Sequence, residues 1–284
     1  MVTPFQENGD IDFEAAEKLI EHLLSNGTDS IVVCGTTGES PTLSMDEKLQ
    51  LIRFTVEKVN KRIPVIAGTG TYNTKETIEM TKKAESLGVD GVMLVAPYYN
   101  KPNQRGLYAH FEAVAKETAL PIILYNVPGR TGTNIEAATT IALSKIPNIQ
   151  VVKEASGNLD QMAEILAKTD EDFFVYSGDD ALTLPLLAIG GKGVISVASH
   201  VVGNEMQAMI RAFEEGRLDE AAKMHQALLP LFKQLFKCPN PVPVKYALGK
   251  VGFSVARVRL PLVEMTEEEK RQFDEVWEHV KQSI

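Results

Sequence analysis

The sequence predicts an α/β fold, a closed (β/α)8 barrel over residues 1–216 followed by a C-terminal helical extension over residues 217–284. Three observations lead there. Short β-branched runs alternate with longer stretches of helical period. Eight strand candidates begin near Met1, Ser30, Pro64, Gly91, Pro121, Ile149, Phe173 and Gly193, and their mean spacing of about 27 residues suits a repeated strand–helix unit. Four of them, Ser30-Ile31-Val32-Val33, Val65-Ile66-Ala67, Val92-Met93-Leu94-Val95 and Ile122-Ile123-Leu124-Tyr125, are apolar on both faces, as strands of a helix-covered parallel sheet are.

The first strand is short, because the sequence starts almost inside it. Helical periodicity then fills 14–24, 46–59, 74–87, 108–118, 136–144, 159–168, 181–189 and 205–215, one segment after each strand. An open doubly wound sheet is the competing arrangement, but no G-x-G-x-x-G follows the first strand. Gly68-Thr69-Gly70 is only a fragment of that pattern. Eight units favour closure into a TIM barrel. Beyond Glu215, amphipathic segments at 218–236, 242–249 and 266–281 exceed what a barrel requires, and Pro239, Pro241 and Pro243 punctuate the first two. They read as a helical cap that also offers an oligomer surface. No internal repeat beyond the alternation is visible, and no low-complexity linker.

With 284 residues, 44% of them hydrophobic, the chain can bury a sizeable core and is not of a disordered class. A net charge of −9 is the opposite of a nucleic-acid-binding footprint, yet a few local cations would still allow anionic substrates. Cys34 and Cys238 cannot form a disulfide framework, which fits a reducing compartment. No apolar run reaches the ~18 residues of a membrane span, and Met1-Val2-Thr3-Pro4-Phe5 lacks the basic region and apolar core of a signal peptide. The expected compartment is the cytoplasm. His22, His110, His200, His225 and His279 show no metal-ligand spacing; four fall in helical stretches and His200 in a loop, so neither a metal site nor a Ser-His-Asp arrangement is expected.

In a barrel of this kind the chemistry sits at the C-terminal ends of the strands. The second strand runs into Cys34-Gly35-Thr36-Thr37-Gly38-Glu39-Ser40, where two hydroxyls and a Gly-flanked turn can present O–H and N–H groups to a small anion. The alternative is a turn whose threonines satisfy their own backbone. The third ends in Gly68-Thr69-Gly70-Thr71-Tyr72-Asn73-Thr74, best read as a turn whose Asn73 or Thr74 caps the next helix. The fourth ends in Ala96-Pro97-Tyr98-Tyr99-Asn100-Lys101-Pro102. Adjacent tyrosines there do not share a face, so one points to the site and the other to a partner or interface. After the fifth strand, Tyr125 leads into Asn126-Val127-Pro128-Gly129-Arg130-Thr131-Gly132. A phenol at the barrel mouth can donate and accept a proton, and Arg130 in the adjoining loop can clamp a carboxylate.

The sixth strand, Ile149-Gln150-Val151-Val152-Lys153-Glu154, places Lys153 at the end of an apolar run. Lysine is rarely buried, and an inward lysine at the barrel mouth loses solvent, which favours the neutral amine that Schiff-base chemistry needs. The alternative is an ion pair with Asp179 or Glu39. The seventh ends in Tyr176-Ser177-Gly178-Asp179-Asp180, with Asp179 or Asp180 as the cap of the next helix. The eighth, Gly190-Gly191-Lys192-Gly193-Val194-Ile195-Ser196, lies where many barrels bind phosphate. Its glycines precede the strand instead of following it, which reads better as a tight bend into the barrel floor.

Gly35-Thr36-Thr37-Gly38-Glu39, Pro97-Tyr98-Tyr99-Asn100-Lys101-Pro102, Tyr125-Asn126-Val127-Pro128-Gly129-Arg130-Thr131-Gly132 and Val152-Lys153-Glu154 fall in order at strand ends. Together they closely resemble the dihydrodipicolinate synthase branch of the pyruvate-dependent class I aldolases, over essentially the whole chain. The resemblance implies condensation of pyruvate with aspartate semialdehyde, the committed step towards diaminopimelate and lysine, with no metal or organic cofactor. It implies that Lys153 forms the imine with the pyruvate ketone, that Tyr125 shuttles protons, and that Thr36 links Tyr125 to a Tyr99 supplied by a neighbouring subunit. Thr37 and the backbone at Ile195 would hold the pyruvate carboxylate, and Arg130 the carboxylate of the semialdehyde. A homotetramer built from tight dimers is implied as well, although some family members stop at dimers.

Sister enzymes such as N-acetylneuraminate lyase and 2-keto-3-deoxygluconate aldolase share the barrel, the lysine and the first tyrosine. The second hydroxyl of Gly35-Thr36-Thr37-Gly38 follows a threonine, where the neuraminate lyases resemble Gly-Ser-Thr-Gly; with Tyr98-Tyr99 and Arg130 this favours the synthase. A phosphate-binding isomerase barrel using the glycines near Gly191 and a catalytically silent scaffold are the readings from other classes. The first lacks a Glu base at a strand end, and the second leaves lysine, tyrosine, threonines and arginine as coincidence. Family members inhibited by lysine carry an interface pocket, whose expected positions here are Ser40, Pro41, Met45, Lys48, Tyr72, Glu76 and Tyr98. Feedback-sensitive bacterial enzymes resemble His at the Met45 position and Asn at the Tyr72 position. Met45 offers no charge-assisted hydrogen bond, Lys48 repels an ammonium and Tyr72 is bulkier than Asn, so inhibition by lysine is expected to be weak or absent.

Overall fold

A computed structural model describes residues 1–284, in two compact units: Met1–Val59 with Ser196–Ile284, and Asn60–Ile195. The first unit opens with helix α1 (Phe13–Ser25), strand β1 (Ile31–Val33) and helix α2 (Met45–Val59). The Asp12 carboxylate accepts from Ala15 N at the start of α1, satisfying one of the free donors of a first turn. No strand forms near Met1, so the structure has seven strands and not the eight expected from the sequence. The Met1 amine donates to Val32 O at 2.8 Å, and beyond it lies only an isolated antiparallel bridge between Phe5 and Ile11. Pro4 has no N–H for a ladder, and Asp12 N donates back to Pro4 O, so this segment closes on itself as a turn.

The second unit runs through β2 (Val65–Gly68), α3 (Thr74–Ser86), β3 (Gly91–Val95), α4 (Gln104–Ala115), β4 (Ile122–Asn126), α5 (Pro128–Thr131) and α6 (Ala137–Leu143). It continues with β5 (Ile149–Glu154), α7 (Leu159–Lys168), β6 (Phe174–Ser177), α8 (Thr183–Ala188) and β7 (Gly193–Val194). Its six strands are all parallel, and each pairs with the next in sequence. Val92, Leu94, Ile122, Leu124, Val152 and Val175 are completely buried. That is the outcome expected of strands apolar on both faces, with helices covering the sheet.

Glycines here serve close packing. A Cβ on Gly70 would lie 2.5 Å from Val95 N and 2.9 Å from Leu94 Cα, so only glycine lets the chain leaving β2 press against β3. Asn73 accepts from Lys75 N and Glu76 N as the cap of α3, as its position suggested. At the entry to β7, Gly190 has φ +104°, and a Cβ on Gly191 would sit 2.3 Å from Leu186 Cγ.

The first unit resumes with α9 (Ser199–Glu214), α10 (Leu218–Gln234), α11 (Val242–Lys250) and α12 (Glu267–Ser283). Helix α9 packs on α1, α10 and α11, and α10 on α12. The sequence reading starts α9 at 205 and leaves His200 in a loop. The helix begins at Ser199 instead and contains His200, because Val202 (φ −136°) breaks its regular dihedrals and splits the periodicity. No helix is long and apolar enough to cross a membrane.

Candidate active site

Strands β4 and β5 end side by side, with Tyr125 in register with Lys153 and Asn126 with Glu154. Side chains alternate along a strand, so Tyr125 and Lys153 share one face while Asn126 and Glu154 share the other. Lys153 Nζ lies 4.2 Å from the centroid of the Tyr125 ring. Both residues are buried, at 9% and 5% exposure. Gly178 beyond β6 backs the lysine stem, and a Cβ there would be 3.0 Å from Lys153 Cε.

The ion pair set against the Schiff-base reading does not form. Asp179 accepts from Ala181 N as the cap of a short 3-10 turn at Asp180–Leu182. Glu39 is paired with Lys245 of α11 at 2.5 Å, both side chains being essentially buried, and also accepts from Arg259 N at 3.0 Å. Burial pulls the Lys245 ammonium down to about 8, against the opposing pull of Glu39. Lys153 is left with the tyrosine ring and no carboxylate partner.

Arg130 does not lie in a loop. It sits on α5, a single helical turn started by Pro128 and closed by Gly132 at φ +70°, and four residues are too few to leave a period in the sequence. Its side chain is exposed. The Lys101 stem packs over Gly132, where a Cβ would lie 2.7 Å from Lys101 Cε, so the loops after β3 and β4 interlock beside Arg130. Tyr98 and Tyr99 diverge as expected: Tyr98 packs edge-to-face on Tyr72 with centroids 5.2 Å apart, whereas Tyr99 is 91% exposed on a left-handed backbone with φ +71°. Glu76 accepts from Asn73 Nδ2 at 3.1 Å. Ile195 N donates to Ser177 O at 2.9 Å, leaving its carbonyl as the group it can offer.

In the first unit, the turn after β1 has Cys34 and Glu39 at φ +56° and +55°, and Gly38 N and Glu39 N donate to Gly35 O and Thr36 O. The threonine hydroxyls do not satisfy this turn. Thr37 Oγ1 accepts from Asn240 Nδ2 at 2.9 Å. Asn240 and Lys245 were not singled out in the sequence; each acts on a residue some 200 positions away, and no local signal announces that. Ser40 and Met45 are half-buried here, and the Cys34 thiol lies 3.9 Å from Lys48 O.

The glycines before β7 do not form a phosphate cradle. Gly190 N, Gly191 N and Lys192 N donate to Leu187 O, Leu186 O and Val175 O, so the amides an anion would need are already engaged.

The model of the dihydrodipicolinate synthetase family matches residues 1–280. The chain belongs to this family. A 4-hydroxy-tetrahydrodipicolinate synthase of Bacillus velezensis is 59% identical, over 97% of this chain and 96% of the relative. The crystal structure of a dihydrodipicolinate synthase from Bacillus anthracis superposes with a TM-score of 0.97 at 56% identity, covering 100% of this chain and 96% of the other. The family enzyme of Cyanidioschyzon merolae, solved with lysine bound, gives 0.97 at 48% identity, over 99% and 96% of the two chains. The α/β barrel class with a C-terminal helical extension therefore holds. As a dihydrodipicolinate synthetase family member the chain is a lyase that works through a lysine Schiff base, in the biosynthesis of diaminopimelate and lysine.

Proposed function

We propose that the chain condenses pyruvate with L-aspartate 4-semialdehyde on Lys153 to give 4-hydroxy-tetrahydrodipicolinate. The observation that carries this is the Lys153–Tyr125 pair, a buried amine without a carboxylate partner beside a phenol at the ends of adjacent strands. The lysine nitrogen attacks the pyruvate ketone, and Tyr125 delivers the proton with which the carbinolamine oxygen leaves as water. The iminium withdraws electrons from the adjacent methyl group, which loses a proton to the Tyr125 phenolate to give an enamine and restore the phenol. The enamine carbon attacks the aldehyde, Tyr125 protonates the new alkoxide, and the amine of the former semialdehyde closes the ring on the imine carbon, releasing Lys153.

In this proposal Thr37 and the backbone at Ile195 hold the keto acid, Thr36 passes protons to and from Tyr125, and exposed Arg130 receives the semialdehyde carboxylate as a bidentate partner. Tyr99 serves a neighbouring subunit in a homotetramer of tight dimers; its exposure and left-handed backbone support this. The cytoplasm is the proposed compartment. Lysine inhibits weakly or not at all: Tyr98 already has the Tyr72 ring against it, and half-inhibition at sub-millimolar lysine would refute this.

Borohydride reduction in the presence of pyruvate, followed by peptide mass analysis, tests the chemistry. The expected product is a pyruvate-derived adduct on Lys153, and its absence overturns the reading. Comparing aspartate semialdehyde with N-acetylmannosamine then tests the aldehyde. Faster turnover of the sugar would move the chain to a sister activity while leaving the imine intact.

A further inference from the structure

The residues that follow Tyr125 and Lys153 carry an arrangement on the opposite face of the two strands. Asn126 and Glu154 are both fully buried. Glu154 Oε1 accepts from Ser156 N at 2.8 Å and Asn126 Nδ2 at 3.1 Å. Its Oε2 accepts from Asn126 Nδ2 at 3.0 Å and Gln161 Nε2 at 2.8 Å. Asn126 Nδ2 also donates to Asn134 Oδ1 at 2.8 Å, Asn126 Oδ1 accepts from Ile135 N at 2.9 Å, and Asn134 Nδ2 donates to Gln161 Oε1 at 2.8 Å. None of the partners of Glu154 is a cation.

A buried carboxylate with only neutral donors is expensive to hold. A glutamine would fill the same space without that cost. What the carboxylate alone provides is acceptance at both oxygens. It takes donors from the end of β4, from the exit of β5 and from α7, and so ties the three together at the register pair next to Tyr125 and Lys153. The placement of the Lys153 nitrogen against the phenol depends on those two backbones not slipping or splaying.

Resting on the Schiff-base reading above, we propose that Glu154, with Asn126 and Gln161, acts as a set of positioning residues that clamps the ends of β4 and β5 and thereby holds Lys153 and Tyr125 in imine-forming alignment. Glu154→Gln keeps the shape but sets an N–H against donors. Transferring the charge with Asn126→Asp closes the network again once the Asn134 and Gln161 amides turn over. The carboxylate at 126 still accepts from Ile135 N and then accepts from Asn134 Nδ2 and from the amide of residue 154, whose second N–H goes to Gln161 Oε1, while Gln161 Nε2 donates to Asn134 Oδ1 and to Ile135 O, which lies 3.2 Å from it in the unaltered protein.

The test is a time course of borohydride trapping with pyruvate, read as adduct on Lys153, for the full chain and for Glu154→Gln, Gln161→Met and the Asn126→Asp/Glu154→Gln double variant. Steady-state kinetics and thermal melting accompany each. Glu154→Gln is expected to reach the same final adduct but to form it roughly ten- to a hundredfold more slowly, as misplacements of about 1 Å do. The loss should fall on kcat more than on KM for pyruvate. Gln161→Met should show a smaller loss in the same direction, and the double variant should regain part of the rate. Trapping by Glu154→Gln at the unmodified rate overturns the clamp. So does a fall only in final adduct that matches the fraction unfolded. Should Glu154→Gln fail to fold, an unaltered rate in Gln161→Met overturns it alone. Absence of adduct in the unaltered protein would instead sink the Schiff-base reading, so the two failures are distinct.

Discussion

A methyl group at position 178 would probe how tightly the lysine is seated. It would lie 2.7 Å from the Ala155 Cβ and 3.0 Å from Lys153 Cε. Gly178→Ala is expected to destabilise by about 1–3 kcal/mol, as overpacking does, and to slow turnover by displacing the amine; a melting curve and kcat together check it. Lys153→Ala should abolish adduct formation. Tyr125→Phe should slow imine formation while leaving the melting temperature nearly unchanged, and an equal rate in both proteins would remove Tyr125 from proton transfer. Lys153 and Tyr125 were legible because a polar side chain ending an apolar strand stands out. Glu39 was legible as a charge but not as a pair: its partner, Lys245, belongs to a distant helix, and contacts at that separation leave no pattern in sequence.

Individual elements were read to within a residue or so where periodicity or β-branching runs long enough, as in β3, β4, β5 and α7. Short or interrupted elements escaped. Helix α5 is a single turn, and α9 is broken at Val202 beside Gly203, whose Cβ would meet Asn26 O at 2.2 Å. The last helix shows the opposite case. Thr266 accepts from Glu269 N while the Glu269 carboxylate accepts from Thr266 N, a capping box whose residues mark the start of α12 in the sequence. Thr266→Ala is expected to cost about 1 kcal/mol, measured as a lowered denaturation midpoint, and an unshifted midpoint would mean that α12 does not limit unfolding.

Across the whole molecule, buried histidines set the response to acid. Burial, and secondarily the N-terminal amine, push His200 down to about 3; burial pushes His110 to about 4. In the unfolded chain both take up a proton near 6.5, so below that pH the unfolded state binds more protons and stability falls as pH falls. Below 4.5 a second loss sets in, because the Arg259 hydrogen bond that holds Glu47 at about 2 is lost as that carboxylate protonates. Melting temperature should therefore drop from pH 6.5 downwards, and His200→Gln should flatten the slope between 6.5 and 4.5. An identical slope in the variant would exclude His200 as a source. The barrel class was legible at this scale because alternation of strand and helix is a property of the entire chain. The turn in place of a first strand was not, because it depends on Pro4 and on hydrogen bonds that only the folded segment makes.

The outward phenol of Tyr99 has a genetic consequence. If it completes a neighbour's reaction centre, two inactive proteins should rescue each other. Tyr99→Phe retains its own lysine but lends a deficient ring, whereas Lys153→Ala lends a sound ring but lacks the nucleophile. Mixed, dissociated and reassociated, half of the pairs formed at random are hybrids with one intact centre, so about a quarter of the normal activity should return. Co-expressed in a diaminopimelate auxotroph, the two alleles should support growth that neither supports alone. Cells carrying both alleles yet still dependent on added diaminopimelate would show that each subunit completes its own centre.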